Sequence, residues 1–236
     1  MEVFLLILSA LVPVVAFLAF IYHKDLNKEP RRLLIKSFAW GMFIFIPILI
    51  IEYAFTMIAP NWGGAWQLLY EAFVVAAVAE EGCKVMTLGR VAWEEAEMDE
   101  PFDGIVYAVF ISLGFAAVEN IGYVLGGGFS TSLLRALFSV PGHGLFGVLM
   151  GYFFAKARFS LVPRKRLGYL FMSFFVPTLF HGGFNYMLMS MSYWVELEVW
   201  EIAVVYLLIF IVLVFALWRL GLKFIRHHRA LPEETV

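Results

Sequence analysis

The chain of 236 residues is poor in most of what stabilises a small soluble protein. It has a single cysteine, Cys83, which excludes an internal disulfide and any metal site built from several thiolates. Charge is scarce as well: 15% of residues are Asp, Glu, Lys or Arg, where globular domains carry about 25%. Neither sign dominates, since 17 Lys and Arg face 19 Asp and Glu, and this balance argues against a nucleic-acid partner. The first apolar run has no basic stretch before it and no small-residue cleavage site after it, so it reads as a retained span rather than a removable signal. Internal repeats, heptads and low-complexity linkers are absent too, which favours one domain.

What is present is apolar surface. Hydrophobic residues make up 62% of the chain and aromatics 18%, more than a water-soluble fold of this size can cover. The expected class is all-α, a polytopic transmembrane helix bundle in a bacterial or archaeal plasma membrane. A membrane-spanning helix takes about 20 residues, and apolar runs of that length lie at about 3–22, 34–59, 67–89, 104–125, 133–155, 167–192 and 200–219, seven in all. Basic residues fall in alternate connections: Lys24, Lys28, Arg31 and Arg32; then Arg90; then Lys156, Arg158, Arg164, Lys165 and Arg166; then Arg219 to Arg229. Arg135 apart, the other connections have none. The N-terminus is therefore expected outside and the C-terminus in the cytoplasm. Residues 1–222 form the membrane domain and 223–236 a short basic tail on anionic lipid. Trp62, Trp66, Tyr193, Trp194 and Trp200 read as anchors at the outer interface.

Against this background several ionisable residues stand out, because each costs about 2.5–3.5 kcal/mol at a helix centre on insertion scales. The third run carries Glu71, Glu80, Glu81 and Lys84; the fourth Glu119, followed by Asn120; the fifth His143; the sixth His181 and Asn185. At about 1.5 Å rise per residue, Glu80, Glu81, Glu119, His143 and His181 fall roughly 12–23 Å above the cytoplasmic helix ends, one layer near mid-membrane. Glu80 and Lys84 share a helix face, as do His181 and Asn185. Pro141 and its neighbours Gly142 and Gly144 should distort the helix around His143, and Gly182 and Gly183 permit close approach beside His181.

Such a layer suits hydrolysis in two ways. Paired carboxylates beside imidazoles supply a base for water, a proton donor and oxyanion donors. Alternatively Glu119, His143 and His181 supply two imidazoles and a carboxylate to Zn2+, leaving Glu80 or Glu81 as base. A proton-coupled transporter is the main rival, since a relay needs the same residues, but no two-fold repeat with broken helices accompanies them. Glu52 and Glu71 read as structural, able to pair with Arg135 or to reach the headgroups, and Cys83 as a packing residue. The acidic stretch Glu94, Glu95, Glu97, Asp99, Glu100 and Asp103 reads as a solvated loop rather than a cation-recruiting lid.

The run Ala79-Glu80-Glu81-Gly82-Cys83-Lys84 resembles the E-E-x-x-K motif of PrsW-type intramembrane proteases, and Phe115 to Glu119 is similar to their F-x-x-x-E motif. His143 and His181 occupy spans where that family carries its histidines, and the likeness covers roughly residues 20–190. The related CAAX prenyl endopeptidases share the H-x-x-x-N pattern of His181 and Asn185 but have histidine where Glu119 stands, so the likeness favours PrsW. It implies cleavage of a single-span membrane protein such as an anti-sigma factor. By the same resemblance Glu80 or Glu81 activates water, with Lys84 holding the pair ionised. Glu119 and His143 are co-activators or metal ligands, and His181 with Asn185 supplies a ligand or oxyanion donors. Relatives are described both as metalloproteases and as glutamate-activated-water proteases, the resemblance does not choose between the two, and one distant relative is a scaffold subunit of a larger protease.

Overall fold

A computed structural model describes residues 2–229, and all regular structure within them is helical. Helix α1 spans Glu2–Lys24. Helices α2 (Arg31–Phe43) and α3 (Phe45–Met57) form one passage broken at Ile44. Pro47 explains the break, because it lacks the N–H that would bond to the Phe43 carbonyl and its ring clashes there. The next passage is continuous but not uniform: α4 (Gly64–Tyr70), a π-helical stretch over Glu71–Val78, then α5 (Ala79–Ala92).

Helix α6 (Pro101–Leu134) and α7 (Val140–Arg158) belong to a 58-residue run joined by a second π-helical stretch, Arg135–Ser139. The run is a hairpin. Gly128 has φ 71° and ψ −161°, a conformation open to glycine alone, and the chain reverses there. Beyond it the arms pair antiparallel: Gly104 lies against Gly151, Val109 against Gly147, and the Ser112 hydroxyl donates to the His143 carbonyl at 2.7 Å. Helices α8 (Pro163–Glu196) and α9 (Trp200–Arg229) complete the bundle.

Among the described residues five helices are long and apolar enough to cross a membrane, with the hairpin counted as one. The two hairpin arms and the charged passage 64–92 account for the remaining apolar runs. The hairpin is the centre, its most apolar window 89% buried against 17–33% in the other four. Small residues make that possible. A Cβ on Gly151 would stand 2.2 Å from the Gly104 carbonyl oxygen, and one on Gly114 would stand 2.2 Å from that of Phe38 on α2. Backbones at these contacts touch directly, the packing that membrane helices use when no hydrophobic force drives them together.

Two expectations change. The boundary at 222/223 falls inside α9, and His228 is 2% exposed, its Nδ1 donating to the Pro101 carbonyl at 2.9 Å and its ring stacked on Tyr152. The last turn thus packs on the hairpin through His228, while Lys223, Arg226 and Arg229 stay exposed; residues 230–236 of the expected tail lie outside the described residues. Nor is the acidic stretch uniformly solvated: Asp103 is fully buried at the start of α6, its Oδ2 accepting the N–H groups of Glu100 at 2.8 Å and Asp99 at 3.1 Å. A helix start needs those groups satisfied, which outweighs solvation of one carboxylate.

The glycine contacts make a direct prediction. Gly151→Ala should destabilise the protein by about 1–3 kcal/mol, the usual cost of overpacking. Gly168→Ala, where a Cβ meets nothing within 4 Å, should leave thermal unfolding in detergent unchanged.

Candidate active site

The π-helical stretch Glu71–Val78 leads straight into the first turn of α5, where Glu80 and Glu81 stand. Such stretches add a residue to the turn and are frequent at functional sites. On the opposite side Gly182 leaves room for the Phe73 ring of that stretch, drawing α8 and its neighbour His181 close. The second π-helical stretch precedes Pro141, whose missing N–H frees the carbonyl of Leu137, and it sets the start of the helix that carries His143.

These elements bring Glu80, Glu81, Lys84, His143 and His181 together. All five are buried, none more than 4% exposed. The Lys84 ammonium donates to Glu80 Oε2 and Glu81 Oε1, each at 2.9 Å, and to His143 Nδ1 at 3.3 Å. It also lies 4.4 Å from the centre of the Phe115 ring, a cation–π contact. Because an ammonium has no acceptor, His143 Nδ1 must carry the lone pair and Nε2 the proton, which it donates to Glu119 Oε2 at 3.1 Å. His181 Nδ1 donates to Glu81 Oε1 at 2.9 Å, leaving Nε2 at 3.8 Å from Glu80 Oε1. Phe146 stacks on His181 at 4.8 Å and holds the ring plane.

Glu80, Glu81, His143 and His181 each offer an atom within 4.8 Å of the others', close enough to share one metal ion. This differs from the expected set of Glu119, His143 and His181: Glu119 touches the far nitrogen of His143, and Arg135 holds it there at 2.5 Å. The four-residue group fits a metal chemically. Two imidazoles and two carboxylates are a zinc-type donor set, and Glu81 Oε2 is buried with no hydrogen-bond partner. An ion there would share Glu80, Glu81 and His143 with the Lys84 ammonium.

Arg135 also corrects an expectation. It pairs with Glu119 and with Asn120 Oδ1 (2.6 Å), not with Glu52 or Glu71, and Glu71 instead accepts from the Gln67 amide. Asn120 Nδ2 in turn donates to the Ala10 carbonyl, tying the hairpin to α1. Sequence reasoning noted Arg135 and Asn120 without seeing that they meet, since their pairing depends on where the hairpin turns. Cys83 is buried, as a packing residue should be.

A cavity of about 1240 Å³ opens on this cluster between α3, the hairpin, α8 and α9. Glu80, Glu119, His143 and His181 face it, as does Asn185, one turn beyond His181; Glu81 and Lys84 stand behind. Asn185 makes no side-chain hydrogen bond to the cluster.

A family model described as PrsW family intramembrane metalloprotease matches residues 29–217, most of the chain. The chain belongs to that family. It is 38% identical over 192 residues to a protein named Protease PrsW from Geobacillus kaustophilus, covering 81% of this chain and 83% of that one. It is 35% identical over 221 residues to the Protease PrsW of Bacillus subtilis, covering 93% and 94%. That of Oceanobacillus iheyensis is 39% identical over 187 residues, covering 79% and 84%. No solved structure matches. Membership makes this PrsW-family chain an intramembrane peptidase and a multi-pass protein of the cell membrane, and it displaces the transporter considered above.

Lys84 is the residue on which the buried charges balance. Lys84→Met should lower stability by about 3–5 kcal/mol, the cost of leaving buried carboxylates without their cation, read as a drop in the unfolding midpoint in detergent. An unchanged midpoint contradicts the arrangement.

Proposed function

We propose that the chain hydrolyses a peptide bond in a membrane-anchored protein, an anti-sigma factor being the substrate class the family resemblance implies. The observation that carries the reading is the buried Glu80, Glu81, His143 and His181 group opening on a cavity between helices. At about 1240 Å³ the cavity exceeds the roughly 300–1,000 Å³ of small-molecule pockets and suits a stretch of polypeptide. Its walls include Thr56, Gly126, Thr131 and Ser192, near the connections that lack basic residues. By the positive-inside rule that end is the outer one, so a substrate would enter from the outer half of the membrane.

On this reading the two glutamates divide the work. Glu80 faces the cavity and is the group placed to take a proton from water as the water oxygen bonds to the scissile carbonyl carbon. Glu81, fully buried, accepts from Lys84 and His181 and fixes the imidazole so that Nε2 turns toward Glu80. The carbonyl oxygen takes up negative charge as the tetrahedral intermediate forms, and the Asn185 amide is a cavity-lining donor to it. As the C–N bond breaks, the proton held on Glu80 passes to the leaving amine. Glu119 and Arg135 anchor His143 from the far side and keep its tautomer constant through the cycle. A metal held by Glu80, Glu81, His143 and His181 would supply Lewis acidity and lower the pKa of a bound water.

Two outcomes are expected. In a purified system with a single-span substrate, Glu80→Gln and His143→Ala should each reduce cleavage at least about 100-fold while thermal unfolding stays cooperative; cleavage at the wild-type rate contradicts the assignment. If a metal takes part, purified protein should carry close to one ion per chain, lost in Glu81→Ala and His181→Ala. Full activity in a preparation stripped of metal leaves the carboxylates as sole activators.

A further inference from the structure

A second group of acids lies at the other end of the hairpin. Asp103 lies nine residues before Ser112, which contacts His143, and twelve before Phe115, which contacts Lys84, about 14–18 Å by helix rise, so this group is separate from the hydrolytic cluster. One oxygen from each of Asp25, Glu100 and Asp103 lies within 4.8 Å of the others. Asp25 comes from the connection after α1, and Glu100 and Asp103 from the start of α6. Glu29 stands beside them, accepting a hydrogen bond from the Tyr107 hydroxyl.

Two of these carboxylates are buried and incompletely satisfied. Asp25 is 2% exposed and Asp103 fully buried. In each, Oδ2 accepts backbone N–H groups: Glu29 for Asp25, Asp99 and Glu100 for Asp103. In each, Oδ1 is sealed from solvent and accepts no hydrogen bond from a donor, while the Asp103 carboxyl also pairs with that of Glu29. The nearby cation does not compensate, because the Lys28 ammonium bonds to the backbone carbonyls of Tyr22 and Asp25 rather than to a carboxylate. Burying a carboxylate oxygen without a partner is costly, so a cluster of buried acids calls for a cation or shared protons to balance it.

We propose that Asp25, Glu100 and Asp103 bind a hard divalent cation, Mg2+ or Ca2+, which clamps the α1–α2 connection onto the start of the central hairpin. The donor set decides the class. It is all oxygen, with neither imidazole nor thiolate, which suits Mg2+ or Ca2+, whereas the mixed set at Glu80, Glu81, His143 and His181 suits zinc. Backbone carbonyls and water complete six or more ligands around such ions. The ion joins α1, its connection and α6, three pieces also held together here by the Tyr107–Glu29 hydrogen bond and by the Asn27 amide, which donates to Glu100 at 3.0 Å. By the distribution of basic residues this end faces the cytoplasm, so the clamp would sense cytoplasmic cation on the side away from the substrate cavity.

The test uses the full chain, purified in detergent and treated with chelator, with MgCl2 and CaCl2 titrated separately at constant ionic strength. At least one should raise the thermal unfolding midpoint saturably. Asp25→Asn should weaken that response at least about tenfold, a loss that even indirect metal contacts show on mutation. Glu100→Gln, whose amide oxygen can still accept from the N3 backbone in the α6 capping box, serves in its place if Asp25→Asn does not fold. His143→Ala should keep the response. No saturable response in the wild-type protein, an undiminished one in the acid variants, or its loss in His143→Ala would each overturn the proposal; the first would leave shared protons as the balance for these acids.

Discussion

An ammonium sealed inside a membrane protein must satisfy three N–H donors without water, and Lys84 does so with Glu80, Glu81 and His143. Each partner is then constrained in turn. Accepting from lysine fixes His143 as the tautomer that donates to Glu119, and Glu119 in that position collects Arg135. Glu81, held by lysine, orients His181, while Glu80 remains on the cavity wall. The cluster is therefore a charge-compensated unit, in which attraction inside a low-dielectric interior offsets desolvation only while the set is complete. The group that lets two carboxylates exist at this depth also leaves one of them available for chemistry.

The scaffold serves that unit through close backbone contact. Glycines at 104, 114 and 151 let the hairpin pack against itself and α2, so its residues are held by rigid neighbours on both sides. π-helical stretches just ahead of Glu80 and of His143 then adjust the rotation of each helix. Catalytic groups need positions good to a fraction of an ångström, and a buried hairpin supplies that precision where exposed helices would not. The same hairpin links the two acidic groups at its ends: one opens on a polypeptide-sized cavity, the other lies under the α1–α2 connection.

Much of the site was legible because lipid makes charge expensive. Glu80, Glu81, Lys84, His143 and His181 could be singled out by depth alone, and helical spacing predicted the Glu80–Lys84 pair that forms. What depth cannot give is azimuth and the point of chain reversal. By depth Glu52 and Glu71 could pair with Arg135 or reach the headgroups, since all three fall near one membrane face. The turn at Gly128 instead places Arg135 opposite Asn120 and Glu119. Glu119 shares the layer but meets the far nitrogen of His143, which no count of residues reveals. Asp103 and His228 were misjudged for a related reason: each sits in a polar stretch that composition marks as solvated, yet one lies in the first turn of a helix and the other in the last, each against a packed neighbour.

The account depends most on α5 and α8 presenting Glu81 and His181 to each other. With Cys83 as the only native thiol, a Cys83→Ser background allows a clean measurement: Glu81→Cys and His181→Cys together, in native membranes, treated with a short bifunctional thiol reagent. The account predicts rapid intramolecular cross-linking of this pair and none for Met86→Cys with Leu179→Cys, which point outward. Failure of the first pair to cross-link while both thiols react singly, or equal cross-linking of the second, would contradict it.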